Sequence, residues 1–242
     1  VLIPSPRLTA ADLALWTELE EADRVHGERF AFSRAVDLSF AAVAACEGPH
    51  WIGCSWGKDS VCLAHICYRA GVRWPLVFFR VPGHEPAETD AVRDTYLSRF
   101  PRTEYHEIET PRPLPAHGDR YDLKPAKVAG GAVAVDRWGR WVNGFRADES
   151  AVRKMYLRKF GLGGCESAVS PLAWWTTTDV FGYLARYDLP THPGYAMLGG
   201  GRWPREYRRT SPIGGVMGEQ YGRGEHDREY YGDVLRRLEA GR

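Results

Sequence analysis

Lysine is scarce in this 242-residue chain: five of the 32 basic residues are lysine, at 58, 124, 127, 154 and 159, and the other 27 are arginine. A GC-rich coding sequence explains that bias as well as function does, since arginine is also the preferred phosphate binder. Net charge is missing too. The 32 basic residues face 31 acidic ones, for a formal +1, so no global field advertises nucleic acid or a membrane surface. The five cysteines (46, 54, 62, 67 and 165) are odd in number and form no CxxC pair. That argues against a disulfide framework or a zinc site and for reduced thiols, with Cys62 and Cys67 read as small apolar residues of a helix. No apolar run reaches the 18 residues of a membrane span, and no signal-peptide pattern opens the sequence. The expectation is a soluble, cytoplasmic protein with no membrane partner. The chain begins at Val1 rather than methionine, so further residues can precede it.

At this length, with 44% hydrophobic and 26% charged residues, the chain suits one large globular domain, with or without an appendage. Thr9, with Asp12 three residues on, predicts a capped helix to about Gly27, and the spacing predicts a second helix over 33–46. Strands are expected at 51–54, 74–81, 103–110 and 140–145, and helices at 59–70, 85–100, 150–160 and 178–187. Strand and helix alternate at βαβ spacing, which means a parallel sheet covered on both faces. The Gly- and Pro-containing stretch 117–139 reads as a long loop or small excursion. Residues 196–242 are rich in Gly, Arg and Tyr and show little core-forming pattern before a last helix near 227–238.

The informative junction is "CSWGKDS", residues 54–60. A strand hands over at once to a helix, and in an open α/β sheet ligands sit beyond the carboxyl ends of the strands. Free N–H groups and the helix dipole favour an anion there. Gly57 permits close backbone approach, Lys58 adds a charge, and Ser55 and Ser60 add hydroxyls. The spacing is not that of a Walker A loop, because three residues separate Gly53 from Gly57 and Asp59 follows the lysine. A capped turn with a solvated lysine is the bland alternative.

"SWGKDS" resembles the phosphate loop of the PP-loop ATP pyrophosphatases. Three further stretches in the same order narrow the resemblance to the phosphoadenosine phosphosulfate (PAPS) reductase branch. They are "VFFRVPGHEPAETDAVRD", "GFRADESAVRK" and "SPLAWWTTTDVFGYLARYDLPTHPGY", and the similarity spans about residues 32–195. It implies an adenine-nucleotide hydrolase-like fold: a five-stranded, mostly parallel sheet in a domain over 1–195, followed by an irregular extension over 196–242. It also implies that ATP, or PAPS or its relative APS, binds with magnesium, with the β- and γ-phosphates of ATP on 55–60. Adenylyl transfer to an acceptor would then release pyrophosphate.

The sequence departs from that branch in three places. Trp56 replaces a smaller residue or phenylalanine, and could narrow the loop or offer a stacking face. Arg80-Val81-Pro82 stands where an Asp-Thr pair is expected. The tail has no cysteine-bearing segment, so the covalent sulfur chemistry of a reductase lacks its nucleophile there. A reductase relying on Cys165 or a partner's thiol, and a nucleotide- or nucleic-acid-binding module without turnover, are the alternatives.

The site expected from these readings contains Ser55, Trp56, Gly57, Lys58, Asp59, Ser60, Gly83, His84, Arg146, Glu149 and Ser150 around the nucleotide. Lys58, Arg146 and Arg153 would act on its phosphates, and Asp59 and Glu88 are the candidate magnesium ligands. Arg146 and Arg153 could clamp phosphate or sulfate oxygens bidentately. Trp174-Trp175 read as core and Thr178 as a helix cap, while His192 reads as a loop residue. The tail arginines 202, 205, 208, 209, 223 and 228, with Trp203, Tyr207 and Tyr221, could bind a second substrate, including nucleic acid, or fold over the nucleotide as a lid. A flexible solvated tail is the simpler expectation. The acceptor is not named by the sequence, and a homodimer is compatible with it.

Overall fold

The computed structural model describes residues 1–161 and 168–241. Helix α1 (Ala10–Phe30) starts as Thr9-x-x-Asp12 announces: the Asp12 N–H donates to the Thr9 hydroxyl and the Thr9 N–H to the Asp12 carboxylate, both at 3.1 Å. It runs past Gly27, which is a crossing point rather than a stop. A Cβ there would lie 2.2 Å from the Gly182 carbonyl oxygen of a later helix, so only glycine lets the two backbones touch. Helix α2 (Arg34–Ala44) follows.

The sheet then begins with β1 (His50–Gly53), α3 (Lys58–Arg69), β2 (Leu76–Arg80), α4 (Ala87–Arg99) and β3 (Tyr105–Glu109). Two short strands, β4 (Leu114–Pro115) and β5 (Tyr121–Asp122), pair antiparallel apart from the main sheet. Next come α5 (Lys124–Trp138), β6 (Arg140–Val142), α6 (Ala151–Phe160), β7 (Ala168–Val169), α7 (Thr177–Arg186) and α8 (Arg223–Ala240). The main sheet has five strands in the order β3-β2-β1-β6-β7, and every adjacent pair is parallel. Ile52 lies opposite Leu76 on one side and Val142 on the other. The chain moves outward from β1 to β3 and returns to β6 on β1's far side. The order therefore reverses at β1, where the crevice of such a sheet opens.

The larger core lies between the sheet and α1, α3 and α7, with Val61, Leu63, Ile66, Phe78, Trp175 and Phe181 among its members. The other face is covered by α5, with Trp51, Val77 and Ala134 in contact.

The stretch 117–139, expected as a loop or excursion, carries β5 and the 15-residue α5. The reason it was illegible is that its stripe toward the sheet is made of small residues, Ala126, Gly130 and Ala134, while Val128, Val133 and Val135 face outward. A Cβ on Gly130 would sit 2.9 Å from the Phe79 ring, so the close approach replaces bulk.

The flexible, solvated tail is also corrected. Met197, Trp203, Ile213, Tyr230, Tyr231, Val234 and Leu235 bury a second apolar cluster. Polar clamps fix that unit to the rest: Tyr230 donates to Asp12 at 2.8 Å, Arg7 holds Asp233 through two bonds of 2.6 and 2.9 Å, and Arg205 holds Asp23 through two of 2.6 and 2.7 Å. The pattern was hard to see because its apolar residues are spread over short 3₁₀ turns rather than one periodic element. Among the described residues, no helix is long and apolar enough to cross a membrane.

Candidate functional site

Residues 53–60 stand at the point where the strand order reverses, and all of them but Trp56 line a cavity of about 1510 Å³. The N-cap of α3 is Gly57, which has no side chain to satisfy the first turn. Among the described residues, the N–H groups of Gly57, Asp59 and Ser60 have no protein acceptor. The Lys58 N–H donates to the hydroxyl of Tyr195 at 3.1 Å. The loop is thus an open helix N-terminus, with a phenol resting on one of its amides.

Trp56 neither plugs the loop nor offers a stacking face. Its φ is +58°, which turns the indole out of the cavity and into the core, tilted against Tyr96 and Tyr105 at 5.7 and 5.5 Å between ring centres. The left-handed backbone costs a bulky residue energy, and full burial of the indole offsets it.

The two charges nearest the loop are neutralised from within. Lys58 Nζ lies 2.6 Å from one oxygen of Asp59, and Arg146 Nε lies 2.6 Å from the other. Burial works to raise the Asp59 pKa, but Lys58 and Arg146 overcome it and hold the carboxyl below its ordinary range. Arg146 is 1% exposed and spends three more of its five donors on the Trp175 carbonyl at 3.2 Å, Thr177 Oγ1 at 3.3 Å and Asp148 at 3.4 Å, while still lining the cavity. Arg146 thus holds Asp59 in place beside Lys58, with four of its five donors engaged inside the chain rather than free for a bidentate phosphate clamp.

Arg153 is better placed. It stacks over Phe145 at 4.4 Å, pairs with Glu149 and lines the cavity; burial, with Arg209 adding to it, lowers its pKa to about 10. Ser150 caps α6 by accepting the Arg153 N–H at 3.2 Å, which also aims this segment at the cavity. Glu149 accepts the Arg146 N–H at 3.2 Å.

Three expected residues lie elsewhere. His84 Nδ1 meets the Ile213 carbonyl at 2.8 Å and its ring packs edge-on against Tyr121, so it fastens the tail. Gly83 takes the positive φ (+79°) of the turn before α4 and faces Leu238. Glu88 is buried under the N-terminal segment, accepting from Ser5 Oγ at 2.7 Å and Arg7 Nε at 3.1 Å. The expected magnesium pair does not form: Glu88 is outside the cavity, and both Asp59 oxygens carry cationic partners. No group of three or more His, Cys, Asp or Glu side chains fit to hold a metal occurs among the described residues. These residues do not fit a protein-held magnesium ion.

Smaller roles shift as well. Thr176, not Thr178, caps α7; Trp175 is buried but Trp174 is exposed. His192 is buried, and its Nδ1 accepts the Gly194 N–H at 3.0 Å. Five of the six tail arginines find partners inside the chain: Arg202 on Glu225 and Glu229, Arg205 on Asp23, Arg208 on Pro204 and Tyr221 carbonyls, Arg223 on Met217 and Pro212 carbonyls, and Arg228 on Asp119. Cys165 lies outside the described residues. Among the others, Cys54, Cys62 and Cys67 are buried, and burial pushes the Cys54 thiol on the cavity wall up to about 12.

Two features escaped the sequence reading. Tyr195 closes the motif L-P-x-x-P-x-Y, and that final position was the available signal for its contact with the loop. Glu85 and Lys127 face one another across the cavity wall. Burial raises the Glu85 pKa to about 7 against hydrogen bonds from Ser211 and the Val81 N–H, and enclosure lowers that of Lys127 to about 8 against the pull of Glu85. Nothing in sequence spacing joins a residue after β2 to one in α5.

Comparison with known proteins adds the lineage. A phosphoadenosine 5'-phosphosulfate reductase of Gloeobacter violaceus is 27% identical over 179 residues, covering 66% of this chain and 71% of that protein. An adenosine 5'-phosphosulfate reductase of Staphylococcus haemolyticus is 27% identical over 156 residues, covering 57% of this chain and 61% of that one. The U34-tRNA thiolase of Methanococcus maripaludis, solved with its [4Fe-4S] cluster, shares the fold at a TM-score of 0.52 and 14% identity, over 88% of this chain and 80% of that one. The phosphoadenosine phosphosulfate reductase domain family matches residues 49–205, from just before β1 and the loop that follows it to past Tyr195, and the chain belongs to that family.

Proposed function

We propose that the protein binds ATP and activates an acceptor by adenylyl transfer. The supporting observation is the open α3 N-terminus at the sheet's reversal point, with unpaired N–H groups of Gly57, Asp59 and Ser60 on the wall of a large cavity. The β- and γ-phosphates take those amides and Lys58. Tyr195 yields the Lys58 N–H when the phosphate arrives, a phenol being a weaker acceptor than a phosphate oxygen. A nucleophilic oxygen or nitrogen of the acceptor attacks the α-phosphorus, the bond from that phosphorus to the bridging oxygen breaks, and pyrophosphate leaves with the electron pair. The acceptor's proton passes to a base on the cavity wall or to water. Arg153 faces the developing charge, while Arg146 and Asp59 hold Lys58 in register, so that catalysis is mainly positional and electrostatic.

Sulfonucleotide reduction is less well supported because the cavity's described cysteine, Cys54, stays protonated near neutral pH. The test is to incubate the protein with ATP and magnesium salt across a panel of acceptors and measure pyrophosphate, and in parallel to measure sulfite from PAPS with a dithiol reductant. Acceptor-dependent pyrophosphate without sulfite is expected. Sulfite release that is lost in Cys165→Ser, or that depends only on the added dithiol, overturns the reading.

A further inference from the structure

The cavity's charges are unevenly spent. At the loop end, Lys58 and Arg146 share the Asp59 carboxylate. Arg209 of the tail lines the same cavity, and its side chain has no hydrogen bond or ion pair among the described residues, although the other five tail arginines do. Its guanidinium stem lies along Gly218, 3.6 Å from where a Cβ would stand, so the absence of a side chain there leaves it room. Arg209 sits within electrostatic reach of Arg153, Lys127 and Arg223. The Lys127 ammonium likewise has no hydrogen bond or close ion pair among the described residues, and Glu85 is the carboxylate that acts on it there. Arg153 lines the same cavity and feels both Asp59 and Arg209.

Cations gathered on one wall repel each other, and a folded chain tolerates that arrangement when an anion relieves it. The gathering is not a feature of general surface charge, because the whole chain is nearly neutral. Lys127 stands on α5 and Arg209 in the tail, whereas the loop opens α3. We propose that Arg209 and Lys127 form a second oxyanion subsite, which takes the phosphate or carboxylate group of the acceptor while the nucleotide occupies the loop end. The acceptor is thus an acidic molecule. Its anionic group is anchored near Glu85, and its nucleophile is presented toward Arg153 and the α-phosphorus. The lowered Lys127 pKa fits a cation held among others and awaiting a counter-charge.

This assignment rests on the proposed nucleotide reading in one respect, that the polyphosphate fills the loop end. The probe is inorganic phosphate, titrated calorimetrically into the full chain saturated with a non-hydrolysable ATP analogue. One phosphate is expected to bind beside the analogue. Arg209→Ala and Lys127→Gln should each weaken phosphate binding by about tenfold, the loss of one charge-assisted contact, and leave analogue affinity unchanged. Lys58→Ala should do the reverse. If the analogue does not bind at all but phosphate still does, and in an Arg209-dependent way, the nucleotide reading fails and the subsite stands. If phosphate displaces the analogue, or Arg209→Ala weakens both equally, the cations serve the nucleotide and the subsite is overturned. A second arm compares PAPS with APS, which differ by a 3'-phosphate. A preference for PAPS that Arg209→Ala abolishes would assign the anion to the nucleotide itself and overturn the acceptor assignment.

Discussion

Arg146 separates a ligand clamp from a positioning residue, and its replacement by methionine tests which it is. The guanidinium is 1% exposed and makes four contacts, the shortest being 2.6 Å to Asp59. Arg146→Met keeps the volume of the stem but leaves Asp59 with Lys58 alone and deprives the Trp175 carbonyl and Thr177 hydroxyl of a donor. Removing one partner of a buried ion pair costs about 3–5 kcal/mol. Asp59 keeps 21% side-chain exposure and a second cation, so about 3 kcal/mol is the expected loss. For a chain of this size that corresponds to a fall in Tm of roughly 6–12 °C. Urea and thermal unfolding of the ligand-free protein give the stability, and calorimetric titration of ATP gives the affinity. Arg146→Lys, which keeps the charge without the fork, should fall between wild type and Arg146→Met in stability. ATP affinity should drop less in Arg146→Met than in Lys58→Ala, because only the latter removes a group from the phosphates. A ligand-free Arg146→Met protein as stable as wild type, with ATP binding abolished, would refute the positioning role and restore the clamp.

Two further outcomes are expected. His192 is buried and its pKa is lowered to about 3 by burial alone, so the unfolded chain takes up a proton that the folded chain refuses between pH 6.5 and 3, and stability falls as pH drops through that window. The unfolding free-energy difference between wild type and His192→Asn should therefore shrink by about 2 kcal/mol from pH 7 to pH 5 in urea titrations; a difference that does not change with pH refutes the buried neutral imidazole. Removing residues 196–242 should leave no cooperatively folding 1–195 domain, because Asp12, Asp23, His84 and Arg7 all lose tail partners. A sharp two-state unfolding transition for that fragment would show the tail to be dispensable.

Much of the site was readable along the chain, and the reason is local. A strand that ends in Ser-Trp-Gly-Lys-Asp-Ser and enters a helix fixes where unpaired amides must be, whatever the rest of the molecule does. The alternation of strand and helix fixed the parallel sheet in the same way. Thr9 declared its cap within three residues of itself, whereas Ser150, read as a ligand residue, proved to cap α6. What spacing could not supply was the direction of side chains and the distribution of partners. Trp56 could face ligand or core, and the positive φ together with Tyr96 and Tyr105 decided for the core. Arg146 could point all its donors at a ligand or spend them inside the chain, and Asp59, Asp148, Trp175 and Thr177 took four of the five.

The sequence by itself determined the α/β class, the loop and its place at the end of β1, because those follow from backbone hydrogen bonding and hydrophobic period over a few residues. Only the tertiary structure decided which charges remain free. Asp12 and Tyr230 meet across 218 residues, and Arg205 reaches Asp23 across 182. Ion pairing is settled by proximity in space and not by separation along the chain. That is why five tail arginines became struts while Arg209 faces the cavity.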